Sequence, residues 1–117
     1  MTYLFIALGG ALGAVLRFVI AVTVVFPFGT LAVNVVGSFL MGLAFVWFST
    51  RTMGQWPLFV MTGFLGGFTT FSAFSLDVLK LVEAEKYLNA GGYVVASVVF
   101  SLLAIFAGVY VMKAVYA

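Results

Sequence analysis

Four long apolar stretches, separated only by short polar breaks, make up almost the whole sequence. They cover about residues 3–26, 29–49, 56–80 and 91–116, and each is long enough to cross the hydrocarbon core of a bilayer as a helix. Only 7% of the 117 residues are charged, against roughly 25% in an average soluble domain. The sequence therefore predicts an all-α membrane protein with four transmembrane helices, in a single domain over residues 1–117.

The residue inventory excludes several classes of function. The chain has no cysteine and no histidine, which rules out disulfides, thiolate chemistry, Cys or His metal sites and Ser-His-Asp triads. No acid-base pair or partnered nucleophile can be assembled from the remaining polar residues, so the chain is not expected to be an enzyme. The formal net charge is only +2, and no nucleic-acid partner is expected.

The basic residues do not select an orientation in the membrane. With four spans, the loop that contains Arg51 shares one side with Lys113, whereas Lys80 and Lys86 lie on the other, towards which Arg17 also leans. Orientation follows the difference in Lys and Arg across the membrane, and here the count is two against two or three. Such a chain has either a weakly specified topology or both insertions, and the second case permits an antiparallel homodimer.

The first helix combines a packing motif with a single charge. Gly9 and Gly13 are four residues apart, a spacing that predicts close contact with another helix. Arg17 lies one turn further along, where a charge at the centre of a membrane helix costs about 2.5–3.5 kcal/mol on insertion scales. Arg17 therefore fits either an interfacial anchor or a fixed positive charge at the mouth of an anion path.

Rows of polar side chains mark one face of the second and fourth helices. Thr30, Asn34 and Ser38 recur every four residues in the second helix, and Ser97 and Ser101 share this spacing in the fourth. Lipid offers no hydrogen bonds, so such groups face either a partner helix or a wet path. The spacing alone leaves both readings open.

The third span contains the most unusual stretch of the sequence. Glycine, threonine and serine dominate residues 62–75, a composition that weakens a helix and frees backbone carbonyls. A helix broken in the middle of the membrane is tolerated only where it is buried in protein or lines a cavity. Freed carbonyls can hold a small hard cation, and the ring edges of Phe71 and Phe74 are electropositive enough to face an anion. Core packing or lipid-facing bulk is the commoner role for phenylalanine in such a helix.

Three sequence elements together resemble the fluoride channel family called Fluc or CrcB. The first helix carries GGxxG before Arg17, the second carries GTLxxN, which ends at Asn34, and the third carries GFxGGxTTFSxFS. The last two elements are specific, whereas the first alone is weak. The likeness extends over nearly the whole chain.

The resemblance implies a dual-topology homodimer with two pores in the inner (plasma) membrane, which carries fluoride out of the cell passively. Asn34 would donate its amide to dehydrated fluoride, and Phe71 and Phe74 would present ring edges to it. A polar track would continue through Ser72 and a fourth-helix hydroxyl, for which we assign Ser101 and expect little from Ser97. The fluoride pore would thus be lined by Asn34, Phe71, Phe74, Ser72 and Ser101.

The same resemblance implies a cofactor. The backbone carbonyls of Gly66 and Thr69 would hold a structural Na⁺ that is not transported, and Arg17 would lie near the vestibule. The sequence departs from the family at two positions. Ala73 stands where a threonine is common, which removes a hydroxyl, and Asp77 stands where a glutamate is common, which shortens any reach into a vestibule.

Two other classes of membrane protein compete with the channel. A small multidrug or guanidinium exporter also has four spans, but a proton-coupled transporter of cations needs a carboxylate inside the membrane. Asp77 is the only candidate for that role. The other alternative is a structural subunit in which the polar rows only join helices.

Overall fold

A computed structural model of the chain describes residues 1–116, and all regular structure among them is helical. Helix α1 spans Thr2–Thr23 and α2 spans Phe28–Ser49. Helix α3 begins as a π-helix over Leu58–Leu65 and continues as one α-helical turn over Gly66–Phe68. Helices α4 and α5 span Ser72–Glu83 and Tyr87–Tyr116.

Four stretches are long and apolar enough to cross a membrane: Thr2–Thr23, Phe28–Ser49, Leu58–Glu83 and Tyr87–Tyr116. The prediction of an all-helical protein with four spans is therefore confirmed. The fourth begins at Tyr87 instead of near residue 91, because the preceding loop closes in a tight turn. Glu85 has a φ of 61°, and the N–H groups of Glu85 and Lys86 donate to the carbonyls of Val82 and Leu81, which is the Schellman pattern of a helix C-terminus.

Both ends of the chain lie beside the loop that joins α2 to α3. The ring of Phe5 in α1 lies 6.3 Å from that of Trp56, with the rings edge to face. At the end of α5, the Tyr116 hydroxyl accepts a hydrogen bond of 2.9 Å from Nη2 of Arg51. The helices therefore run up and down in turn, as the sequence predicts for four consecutive spans.

Glycines allow two pairs of helices to touch backbone to backbone. A Cβ atom added at Gly13 of α1 would overlap the carbonyl oxygen of Phe64 in α3, and Gly9 has a similar contact one turn away. At Gly42 of α2, an added Cβ would overlap the carbonyl oxygen of Ile105 in α5. The predicted packing role of Gly9 and Gly13 is thus confirmed, and the pairs α1–α3 and α2–α5 form the body of the fold.

Candidate functional site

Helical structure stops at Phe68 and resumes at Ser72, so residues 69–71 form a non-helical segment within the third span. We call these three residues the linker. Thr69 has extended backbone angles, with φ −83° and ψ 155°. Helix α2 touches the linker directly, because a Cβ added at Gly37 would overlap Cγ2 of Thr69. Backbone groups in such a segment lose their helical partners and must find others.

Side chains from α1 and α2 supply those partners. Asn34 makes two bonds to Thr70: its Nδ2 donates to the Thr70 carbonyl over 2.9 Å, and its Oδ1 accepts from the Thr70 N–H over 2.8 Å. Nε of Arg17 donates to the carbonyl of Gly67 over 3.1 Å. Two of the predicted site residues, Asn34 and Arg17, therefore attach the linker and the helical turn before it to neighbouring helices.

Thr70 also caps the helix that follows the linker. Its Oγ1 accepts a hydrogen bond of 3.1 Å from the N–H of Ala73, the geometry by which Thr stabilises a helix N-terminus. The hydroxyl of Ser72 lies 3.2 Å from the same Oγ1. Thr70 is absent from the site residues predicted from the sequence, although a threonine just before the first turn of a helix is a recognised start signal.

Several carbonyl oxygens at the linker lose their usual helical partners, and those of Gly66 and Thr69 are two of them. In a regular helix the Gly66 carbonyl would accept from the N–H of Thr70, but that N–H donates to Asn34. The Thr69 carbonyl would accept from the N–H of Ala73, but that N–H donates to Thr70 Oγ1. Gly66 and Thr69 are the two residues to which the sequence analysis assigned a cation.

An open cleft with a volume of about 470 Å³ lies beside the linker. It brings together six predicted site residues, whereas Ser72 and Arg17 do not line it and instead lie within hydrogen-bond distance of Thr70 and Gly67. The roles of all eight stay predictions. The residues that line the cleft are Asn34, Ser38, Gly66, Thr69, Thr70, Phe71, Phe74, Ser97, Val98, Ser101 and Leu102.

The two phenylalanines of the cleft differ in burial. Phe71 is 76% exposed, whereas Phe74 is 7% exposed, and their ring centroids lie 5.3 Å apart at an angle of 55°. The Phe74 ring also packs against Tyr93, at 5.4 Å. The Tyr93 hydroxyl in turn donates to Oδ2 of Asp77 over 2.9 Å, and both groups are buried. Phe74 is therefore fixed by its neighbours, while Phe71 touches the Phe74 ring but is otherwise largely exposed.

Ser97 carries an unpaired hydroxyl at the cleft. The side chain is buried, and its Oγ has no hydrogen-bond partner among residues 1–116. A buried polar group that lacks a partner costs about 1–3 kcal/mol, and because this Oγ is fully buried it does not face the open cleft. Ser101, to which the pore role was assigned from the sequence, lines the cleft as well.

Comparison with known proteins gives the relationship. The profile of the family described as "CrcB-like protein, Camphor Resistance (CrcB)" matches residues 4–109. The chain belongs to the CrcB family. It is 47% identical over 120 residues to a protein of Rhizobium meliloti (strain 1021), with 95% of each chain covered. It is 46% identical over 113 residues to a protein of Hahella chejuensis (strain KCTC 2396), with 90% of this chain and 89% of the relative covered.

Both relatives of this CrcB chain carry the name "Fluoride-specific ion channel FluC". The family resemblance stated from the sequence elements is therefore confirmed. The relatives are named ion channels, so the expectation that this CrcB chain is not an enzyme is also confirmed.

The structure shows what occupies the two positions at which this CrcB chain departs from the family pattern. Ala73 contributes its N–H to the cap made by Thr70, an interaction that needs no side chain. Asp77 is buried and accepts from Tyr93. Its carboxylate is therefore directed at a neighbouring helix, not at the cleft.

Proposed function

We propose that this protein is a fluoride-specific ion channel through which fluoride leaves the cell passively across the inner (plasma) membrane. The cleft beside the linker is the observation that carries the proposal. It offers an amide, hydroxyls and aromatic edges, and none of the described residues that line it is charged. Fluoride is small and strongly hydrated, so a pore must replace its water without holding it too tightly. The names of the relatives support the choice of ion.

Asn34 has two functions in this proposal. One Nδ2 hydrogen is used on the Thr70 carbonyl, and a primary amide has two such hydrogens. The second is the donor that we assign to fluoride. Because the same side chain accepts from the Thr70 N–H, its amide is held in one orientation and meets the ion without reorganisation.

We propose that the wall of the pore is complete only when a second copy of the chain covers the open side of the cleft. A single chain leaves Phe71 largely exposed beside an open groove, and a second copy in the opposite orientation would wall it off. The near-balance of Lys and Arg across the membrane supports both insertions. The dimer is then antiparallel, with two equivalent pores and with each linker near the middle of the membrane.

We assign a structural Na⁺ to the carbonyls of Gly66 and Thr69. The fit is chemical: hard cations prefer oxygen ligands, and these two carbonyls have lost the N–H partners of a regular helix. Groups of three or more His, Cys, Asp or Glu that could hold a metal are absent from the described residues. Two carbonyls from each copy would surround a single ion between the subunits, and the ion would brace both linkers.

Fluoride efflux from liposomes tests the proposed function. Purified protein in liposomes loaded with fluoride should release it without a proton gradient, and matched liposomes loaded with chloride should retain their ion. Protein-free liposomes give the background leak. Equal release of the two halides, or fluoride release that requires a proton gradient, would refute a passive fluoride-specific channel.

A single introduced cysteine tests the antiparallel arrangement. The chain has no native cysteine, and Thr52 is exposed in the loop between α2 and α3. In vesicles, a membrane-impermeant maleimide should label half of the Thr52→Cys molecules, because half present that loop to each side. Asn89→Cys at the other end of the bundle is the matched control and should also reach half. Complete labelling of one variant with none of the other would show a single orientation.

Substitution of Ser97 tests the unpaired hydroxyl. Ser97→Ala should leave fluoride flux nearly unchanged, because the Ser97 Oγ is buried and does not reach the open cleft. Thermal stability should hold or rise, because the substitution removes a buried hydroxyl without a partner. Flux in liposomes and thermal unfolding in detergent check both parts. A several-fold loss of flux in Ser97→Ala would show instead that this hydroxyl reaches the fluoride track.

A further inference from the structure

The acidic side chains lie near the beginning of α5, whereas two basic side chains lie at its far end. All three acidic residues of the chain, Asp77, Glu83 and Glu85, lie at or before the beginning of this helix or contact its early turns. Helix α5 has 30 residues and is therefore about 45 Å long. At its far end lie Arg51 and Lys113. These cations have no carboxylate side chain of their own chain within reach.

Arg51 is held in place by aromatic rings instead of by an acid. Its guanidinium carbon lies 4.0 Å from the centroid of the Trp47 ring and 5.6 Å from that of Tyr116. Nη2 donates to the Tyr116 hydroxyl over 2.9 Å. Cation–π contacts orient the group and leave its charge intact. This end of the molecule therefore presents an ordered positive charge.

A pocket of about 430 Å³ lies next to this charge, between the ends of α2 and α5. Ser49 and Thr50 line it, but their hydroxyls donate to carbonyls of their own helix. The Lys113 ammonium is thus the main free donor in the pocket. The complete lining is Phe45, Val46, Ser49, Thr50, Lys113 and Tyr116.

The pocket is polar at one end and apolar at the other. Phe45 and Val46 lie one turn of α2 nearer the middle of the span than Ser49 and Thr50. Trp47 and Tyr116 stand beside the polar end, where aromatic side chains mark the level of lipid headgroups. A soluble anion would use only the polar end, whereas a lipid would use both.

We propose that this pocket binds an anionic phospholipid, with its headgroup phosphate at Lys113 and beside Arg51, and with an acyl chain along Phe45 and Val46. An anionic headgroup such as phosphatidylglycerol retains a net negative charge, whereas phosphatidylcholine does not. Each cation near a charged membrane surface favours an anionic lipid by about fivefold. The site is separate from the cleft and from the residues assigned to fluoride.

Tryptophan fluorescence with brominated lipids tests this site. The chain has two tryptophans, so Trp56→Phe leaves Trp47 beside the pocket. Trp47→Phe leaves Trp56, which packs on Phe5 and Phe59 at the same end of the bundle. In mixed bilayers, brominated phosphatidylglycerol should quench Trp47 with at least a fivefold preference over brominated phosphatidylcholine. Trp56 should be quenched by the two lipids to the same extent.

Charge variants in the Trp56→Phe background identify the donor. Lys113→Gln should reduce the preference by about fivefold, whereas Lys113→Arg should retain it. Lys86→Gln, which removes a cation at the other end, should leave it unchanged. Equal quenching of Trp47 by both lipids would overturn the proposal. An unchanged preference in Lys113→Gln, or a preference that inorganic phosphate in the buffer abolishes, would overturn it too.

Discussion

Phe71→Ile is expected to abolish fluoride flux while the protein still folds. The side chain is 76% exposed on the single chain, so little packing within that chain is lost. Isoleucine keeps apolar bulk but has no electropositive ring edge to offer an anion. In liposomes, fluoride release by the purified variant should fall to the leak of protein-free vesicles, while its elution volume in size-exclusion chromatography should match that of the unmodified protein.

Phe106 in α5 provides a matched control for this result. It is also a largely exposed phenylalanine, at 67%, but it does not line the cleft. Phe106→Ile should therefore conduct fluoride normally. Phe74→Ile should also lose flux, with some loss of stability because the ring packs on Tyr93. Undiminished flux in both Phe71→Ile and Phe74→Ile would show that the rings only fill space.

Asn34→Ala is expected to remove flux and to destabilise the fold. The substitution deletes the amide assigned to fluoride together with both bonds to Thr70. A partly buried N–H and a carbonyl of the linker then lose their partners, which should lower the free energy of unfolding by about 2–4 kcal/mol. Thermal unfolding in detergent measures the stability, and efflux from liposomes measures the flux.

Asn34→Asp separates these two functions. The carboxylate can still accept from the Thr70 N–H, but it cannot donate, and its negative charge repels an anion. We expect partial recovery of stability and no flux. Asn89→Ala, at the other asparagine of the chain, which is exposed, should change neither quantity. If Asn34→Ala unfolds at the temperature of the unmodified protein, its bonds to Thr70 do not secure the linker.

Features that depend on local chemistry could be predicted from the sequence. The four spans follow from runs of apolar side chains, whose solvent must be lipid. The contact at Gly13 follows from a spacing that places two small residues on one helix face. Asn34, Phe71 and Ser101 lie together at the cleft. All three could be predicted, because Asn34 and Phe71 belong to the sequence elements that carry the resemblance and Ser101 belongs to the row of hydroxyls in the fourth helix.

Features that depend on a specific partner could not be predicted. Asn34 and Thr70 are 36 residues apart, and periodicity indicates which face a side chain occupies but not which backbone group it meets there. Arg17 likewise fitted two roles, an interfacial anchor or a positive charge at the mouth of an anion path, and neither role includes a hydrogen bond to the carbonyl of Gly67. The unpaired hydroxyl of Ser97 is also a property of the assembled bundle, since the same spacing fits a serine that bonds to its own helix.

The attachment of the linker bears on how such a protein can work. Asn34 in α2 bonds to the middle of the linker, and Arg17 in α1 bonds to the helical turn that precedes the linker. Close glycine contacts hold the surrounding helices together. A carrier must swing its central segment on every cycle to expose the substrate first to one side and then to the other. Here that swing would require several bonds to break together. In the proposed channel the walls of the passage would therefore stay fixed, and the speed of transport would depend on how readily the ion exchanges its hydration shell for the groups that line the pore.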